Sequence, residues 1–231
     1  MNPTTRSRAI KLFRYTENAS RQAHHAVAIA PPFIYLPLFS RKKISLAAQD
    51  VSFENQGAFT GEISPLQLKD LGVRYVIIGH SERRKLGEMD AIINKKIKAA
   101  LNAGLAVILC VGESKRRGFN DAIRFIKRQL LADLRGISKL KTLNSKLIIA
   151  YEPVWAIGTS RFDPPDDAGK VIHSIKNFLN TRYKIQNAKV LYGGSISSKI
   201  LPRYLHRPSI DGALIGGASL KLKEVKAILK F

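Results

Sequence analysis

The 231-residue chain has one cysteine, one tryptophan and two methionines, and few acids: 17 Asp and Glu against 39 Lys and Arg. A lone cysteine, Cys110, excludes an intrachain disulfide and fits a reducing compartment such as the cytoplasm. No run approaches 18 apolar residues, so no membrane-spanning helix is expected. The N-terminus carries charges but no apolar core, so no signal peptide is expected either. The shortage of acids leaves a net charge of +22 and a field that attracts anions: nucleic acid, acidic lipid or phosphorylated metabolites. The basic residues are scattered, with short clusters at Arg41-Lys42-Lys43 and Lys115-Arg116-Arg117 and no zinc or RNA-motif spacing. A nucleic-acid partner is therefore not expected, and the charge reads as that of a generally basic surface.

What the chain does have is a recurring pattern. Apolar runs of strand length occur at 26–30, 44–48, 75–78, 106–111, 147–150, 190–192 and 213–215. Amphipathic stretches such as 89–103 and 123–134 lie between them. Near-continuous apolar strands suit a buried parallel sheet, and alternation with helices implies crossover connections. With no linker or composition shift, one domain spanning residues 1–231 is expected. A helix over 5–24 precedes the first run, which favours a (β/α)8-type barrel with seven strands over a doubly wound sheet.

Ligands of such folds sit at the carboxyl ends of strands. There the sequence places Gly79-His80-Ser81-Glu82-Arg83-Arg84, then Tyr151-Glu152-Pro153-Val154-Trp155, Gly193-Gly194-Ser195 and Gly216-Gly217-Ala218-Ser219. The Gly pairs fit either a phosphate cradle of backbone N–H groups or plain turn chemistry. Glu152, emerging from an apolar strand, fits either a general base or a buried ion pair. His80, opening a helix, fits either a neutral catalytic imidazole or a cap. Cys110 reads as a packed core residue rather than a nucleophile. His24-His25 have no ligand partners in sequence, and no metal is expected.

Taken together, these segments resemble triosephosphate isomerase. So do Ala30-Pro31-Pro32-Phe33, Gly57-Ala58-Phe59-Thr60-Gly61-Glu62, Cys110-Val111-Gly112-Glu113 and Ala156-Ile157-Gly158-Thr159, all in family order. The resemblance implies a cofactor-free, homodimeric glycolytic and gluconeogenic enzyme on a TIM (β/α)8-type barrel. It would interconvert dihydroxyacetone phosphate and D-glyceraldehyde 3-phosphate. Glu152 would move the proton between carbons, His80 would polarise the carbonyl, and Glu82 would support them. Gly158, Ser195, Gly216 and Gly217 would hold the phosphate. A lid containing Pro153, Val154, Trp155, Ala156, Ile157 and Thr159 would close over the enediolate. Thr60 and Glu62 would enter the partner subunit, with Glu62 pairing with Arg83 across the interface.

Three departures from the family stand out. The lid's far hinge reads Ser160-Arg161-Phe162-Asp163 in place of a small residue, a lysine and small residues. Asp50 replaces the usual Asn. Finally, Met1-Asn2 aligns with the end of the family's first-strand motif, Asn-Trp-Lys-Met-Asn. In the sequence as given, no residue matches the motif's lysine. Impaired activity and a weakened dimer are therefore expected. A misplaced start and a strand truly absent both remain open. The alternatives to the isomerase are an inactive basic barrel that binds an anionic partner, or another sugar-phosphate isomerase.

Overall fold

A computed structural model describes residues 2–40, 43–137, 143–159 and 162–231. Met1, the Arg41-Lys42 pair and the Ser160-Arg161 part of the hinge lie outside the described residues. Helix α1 (Arg6–Ser20) opens the chain, with the Thr5 side chain accepting from the Arg8 N–H as its cap. Seven strands follow: β1 (Ala28–Ile29), β2 (Ser45–Ala48), β3 (Tyr75–Ile78), β4 (Ala106–Val111), β5 (Leu147–Tyr151), β6 (Lys189–Tyr192) and β7 (Gly212–Ala213). They form one parallel sheet in chain order. Seven parallel strands with a preceding helix are what the sequence pattern predicts.

The edges differ from the expectation in length. The runs 26–30 and 213–215 give strands of only two residues, β1 and β7. Each pairs with a single neighbour among the described residues, and neither pairs with the other, so the sheet stays open at that seam. A strand hydrogen-bonded on one side loses half its ladder, which shortens it. Outside the sheet, α1 packs against α9 (Leu222–Leu229), joining the first and last helices across the seam.

Strand alternation decides which side chains reach the rim. In β4, Val107, Leu109 and Val111 join the main core beneath the helices, while Ile108 and Cys110 belong to a smaller cluster on the opposite face of the sheet. In β5, Leu147, Ile149 and Tyr151 take the helix side and Ala150 the other. The helices α4 (Asp90–Asn102) and α5 (Phe119–Asp133) cover the sheet with Ile93, Ile97, Ala100 and Ile126, Leu130 at helical spacing. Helix α7 (Pro165–Tyr183) adds Ala168, Val171, Ile172, Ile175 and Leu179.

Candidate active site

Glu152 follows Tyr151, so the same alternation turns it to the Ala150 side, at the rim. It is 2% exposed. Its backbone stays in register with β4, its N–H donating to the Val111 carbonyl at 2.8 Å. Its side chain meets the end of β3. Oε2 accepts from the Ser81 N–H at 2.8 Å, and Oε1 lies 3.0 Å from His80 Nε2.

His80 does not follow strand alternation. Gly79, at φ +71°, turns the chain after β3, a conformation that costs glycine little. The turn starts the short helix α3 (Ser81–Lys85), and His80 caps it by accepting the Glu82 N–H on Nδ1 at 3.2 Å. A ring nitrogen that accepts carries no proton, so the neutral imidazole holds its hydrogen on Nε2, facing Glu152. Burial disfavours the imidazolium, but the neighbouring Glu152 carboxylate outweighs it and raises the His80 pKa above 6.5. Glu82 itself points to solvent, its carboxylate 3.8 Å from Nδ1, so its main contact with His80 is through its backbone.

The pair rests on residues for which the sequence alone suggests no such supporting role. A Cβ on Gly112 would lie 1.7 Å from the Glu152 carbonyl oxygen, and one on Gly193 3.0 Å from the Glu152 Cγ. Behind His80, Arg84 donates to the Gly79 carbonyl (2.8 Å), the Cys110 carbonyl (3.2 Å) and Asp133 (2.7 Å), tying the ends of β3 and β4 together. Burial pushes the Asp133 carboxyl up to about 7 against the pull of Arg84. Cys110 is fully buried, and burial together with nearby Glu152 raises its thiol pKa, as suits a packing residue. Glycines that serve close approach give no signal in a single sequence beyond their position just past a strand.

Beside Glu152, Val154–Ala156 form a tight turn. Trp155 Nε1 donates to Glu113 Oε1 at 2.7 Å, and the Ser195 hydroxyl donates to the Ala156 carbonyl at 2.9 Å. The Tyr151 hydroxyl lies between Glu113 (3.1 Å) and Asp163 (3.3 Å), both buried. Burial raises Glu113 and pushes Asp163 up to about 6. Gly158, Gly216 and Gly217 are exposed, and no atom lies within 4 Å of where their Cβ would stand. Among the described residues, the backbone N–H groups of Gly158, Ser195, Gly216 and Gly217 donate to no protein acceptor.

On another face, Lys96 bridges Asp50 at 2.8 Å and Glu88, while Arg83 reaches Asp50 at 2.9 Å. Thr60 and Glu62 are exposed, and Glu62 and Arg83 line one hollow of about 440 Å³ with Phe59 and Leu86. Lys11 is exposed on the outer helix α1. Among the described residues, no lysine or arginine side chain contacts Glu152 or His80.

A seven-stranded parallel sheet with crossover helices, and a buried carboxylate against an imidazole at its carboxyl rim, point to an enzyme of the α/β-barrel class, open at one seam. A model of the triosephosphate isomerase family matches residues 1–231. The chain belongs to the triosephosphate isomerase family, and the resemblance read from its segments is borne out. It is 45% identical over 215 residues to the triosephosphate isomerase of Carboxydothermus hydrogenoformans, covering 88% of this chain and 84% of that protein. It is 39% identical over 236 residues to that of Thermoanaerobacter pseudethanolicus, covering 98% and 94%. It is also 42% identical over 212 residues to that of Thermus thermophilus, covering 88% and 84%.

Proposed function

We propose that this chain interconverts dihydroxyacetone phosphate and D-glyceraldehyde 3-phosphate by proton transfer at Glu152 assisted by His80. The observation that carries the reading is the 3.0 Å approach of the buried Glu152 carboxylate to His80 Nε2. In this arrangement one Glu152 oxygen accepts the Ser81 N–H, and the other lies 3.0 Å from His80 Nε2 without a hydrogen bond. To take a proton from a substrate carbon, the carboxylate exchanges a protein donor for the substrate. Once Glu152 moves, the Nε2–H is free to donate to the substrate carbonyl, which lowers the cost of the enediolate. The fixed tautomer supports this role for a neutral ring.

The N–H groups of Gly158, Ser195, Gly216 and Gly217 suit a phosphate, held away from the reacting carbons. Pro153, Val154, Trp155, Ala156, Ile157 and Thr159 form the lid, which carries Gly158 toward that phosphate and excludes water. The hollow lined by Glu62 and Arg83 receives a second copy of the chain in a homodimer. Asp50 already engages Arg83 within one subunit, which supports a weaker cross-subunit pairing.

His80 and the backbone N–H groups of the rim stabilise the enediolate charge. A coupled isomerase assay on the purified chain tests the reading. Conversion abolished by Glu152→Gln is expected. No conversion, together with no binding of 2-phosphoglycolate, would sink it.

A further inference from the structure

Arg116 lies in the loop between β4 and α5, outside the catalytic pair, yet it touches both ends of the segment 153–163. Its guanidinium carbon stands 4.8 Å from the centre of the Trp155 ring. One terminal nitrogen donates to Asp167 at 2.9 Å, and the other lies 3.8 Å from Asp163. Trp155 lies near the start of the segment and Asp163 ends it, while Asp167 lies in the first turn of α7.

Arg116 has company from its own loop. Glu113 takes the indole edge at 2.7 Å, so residues of the β4–α5 loop hold Trp155 by edge and face together. The exit end is anchored from below: Asp163 is 3% exposed, with its carboxylate on the Tyr151 hydroxyl and its carbonyl on the Tyr204 hydroxyl. Tyr204 in turn stacks on Tyr192 with ring centres 4.1 Å apart. The exit is thus rigid, and Arg116 links the entry to it. A planar, forked cation is needed for this, because it can stack on an indole while its edges reach carboxylates; an ammonium on the same stem cannot do both.

We propose that Arg116 is a positioning residue that braces the two ends of the lid and fixes the resting place of Trp155. The inference rests on the reading of this segment as a lid. With the ends held, only the middle of the segment must be ordered when ligand arrives. Without the brace, ordering the entry end falls on the ligand, and affinity drops.

The chain's single tryptophan makes the test direct, since all indole fluorescence comes from Trp155. Acrylamide quenching, 2-phosphoglycolate affinity and the KM and kcat for glyceraldehyde 3-phosphate are compared in the unaltered chain, Arg116→Met and Arg116→Lys. Thermal midpoints are followed in parallel. In Arg116→Met, quenching of the free protein rises and 2-phosphoglycolate affinity falls about threefold to tenfold, the range for a half-exposed stacked cation with its ion pairs. KM rises in step, the thermal midpoint stays unchanged, and Arg116→Lys recovers only part of the loss. Unchanged quenching in Arg116→Met overturns the proposal, as does raised quenching with unchanged affinity and KM. If 2-phosphoglycolate leaves the fluorescence of the unaltered chain untouched, the lid reading fails instead. The quenching comparison then decides alone whether Arg116 holds Trp155.

Discussion

A side-chain carbon on Gly112 would stand 1.7 Å from the carbonyl oxygen of Glu152. The backbone of the loop after β4 therefore passes so close to the candidate base that only glycine fits. Gln129 holds the Gly112 N–H from behind at 2.9 Å, so the loop cannot simply back away. Gly112→Ala is expected to push the Glu152 backbone out of place and lower kcat about 10²-fold, the sensitivity of a reacting group to roughly 1 Å of misplacement. The helical circular dichroism should remain close to that of the unaltered chain. An active Gly112→Ala protein would show that the base tolerates displacement.

The approach of Glu152 to His80 also sets a titration. The Glu152 carboxylate is what lifts the imidazole above 6.5, against burial. Glu152→Gln removes the lift and leaves the burial, so the His80 midpoint, followed by NMR of its ring protons, should fall below 6.5. The stability contributed by the charged pair is full below 6.5 and is lost as pH rises through the raised folded value. Activity depends on the neutral ring, so it should decline on the acid side as pH falls through that same value. A His80 midpoint unmoved by Glu152→Gln would contradict the assigned pairing.

Arg84 offers a stability test. Its guanidinium is the ion-pair partner of Asp133, which is fully buried and has one oxygen without a hydrogen bond. Arg84→Met strands that carboxylate, and breaking a buried pair from one side costs about 3 kcal/mol or more. Asp133 already tends toward about 7, so acid should protonate it and relieve the defect. Urea unfolding at pH 8 and pH 5.5 should show the larger loss at pH 8. Equal losses at the two pH values would mean that Asp133 is not the source.

The central strands were legible in the sequence because their residues are apolar on both faces. The boundaries 75–78 and 106–111 agree with β3 and β4, and 147–150 falls one residue short of β5. The edges were not legible to the same degree: 26–30 and 213–215 are as apolar as the rest, but partnership on one side keeps only Ala28–Ile29 and Gly212–Ala213 in register. Within the candidate site, His80 and Glu152 stood out as polar groups at the ends of apolar runs. Gly112, Arg84 and Arg116 did not, because their roles arise from contacts between loops far apart in sequence. Asp50 was visible as a departure, but its pairing with Lys96 and Arg83 depends on three separate elements meeting.

The most direct measurement is isomerisation in deuterated water. The purified 231-residue chain is given D-glyceraldehyde 3-phosphate, and the products are read by proton NMR, with Glu152→Gln alongside. A base that carries a proton between adjacent carbons exposes it to solvent exchange. The account therefore predicts dihydroxyacetone phosphate carrying a single deuterium, formed by the unaltered chain and lost in Glu152→Gln. Deuterated product formed equally fast by Glu152→Gln would contradict the assignment of Glu152 as the group that moves the proton.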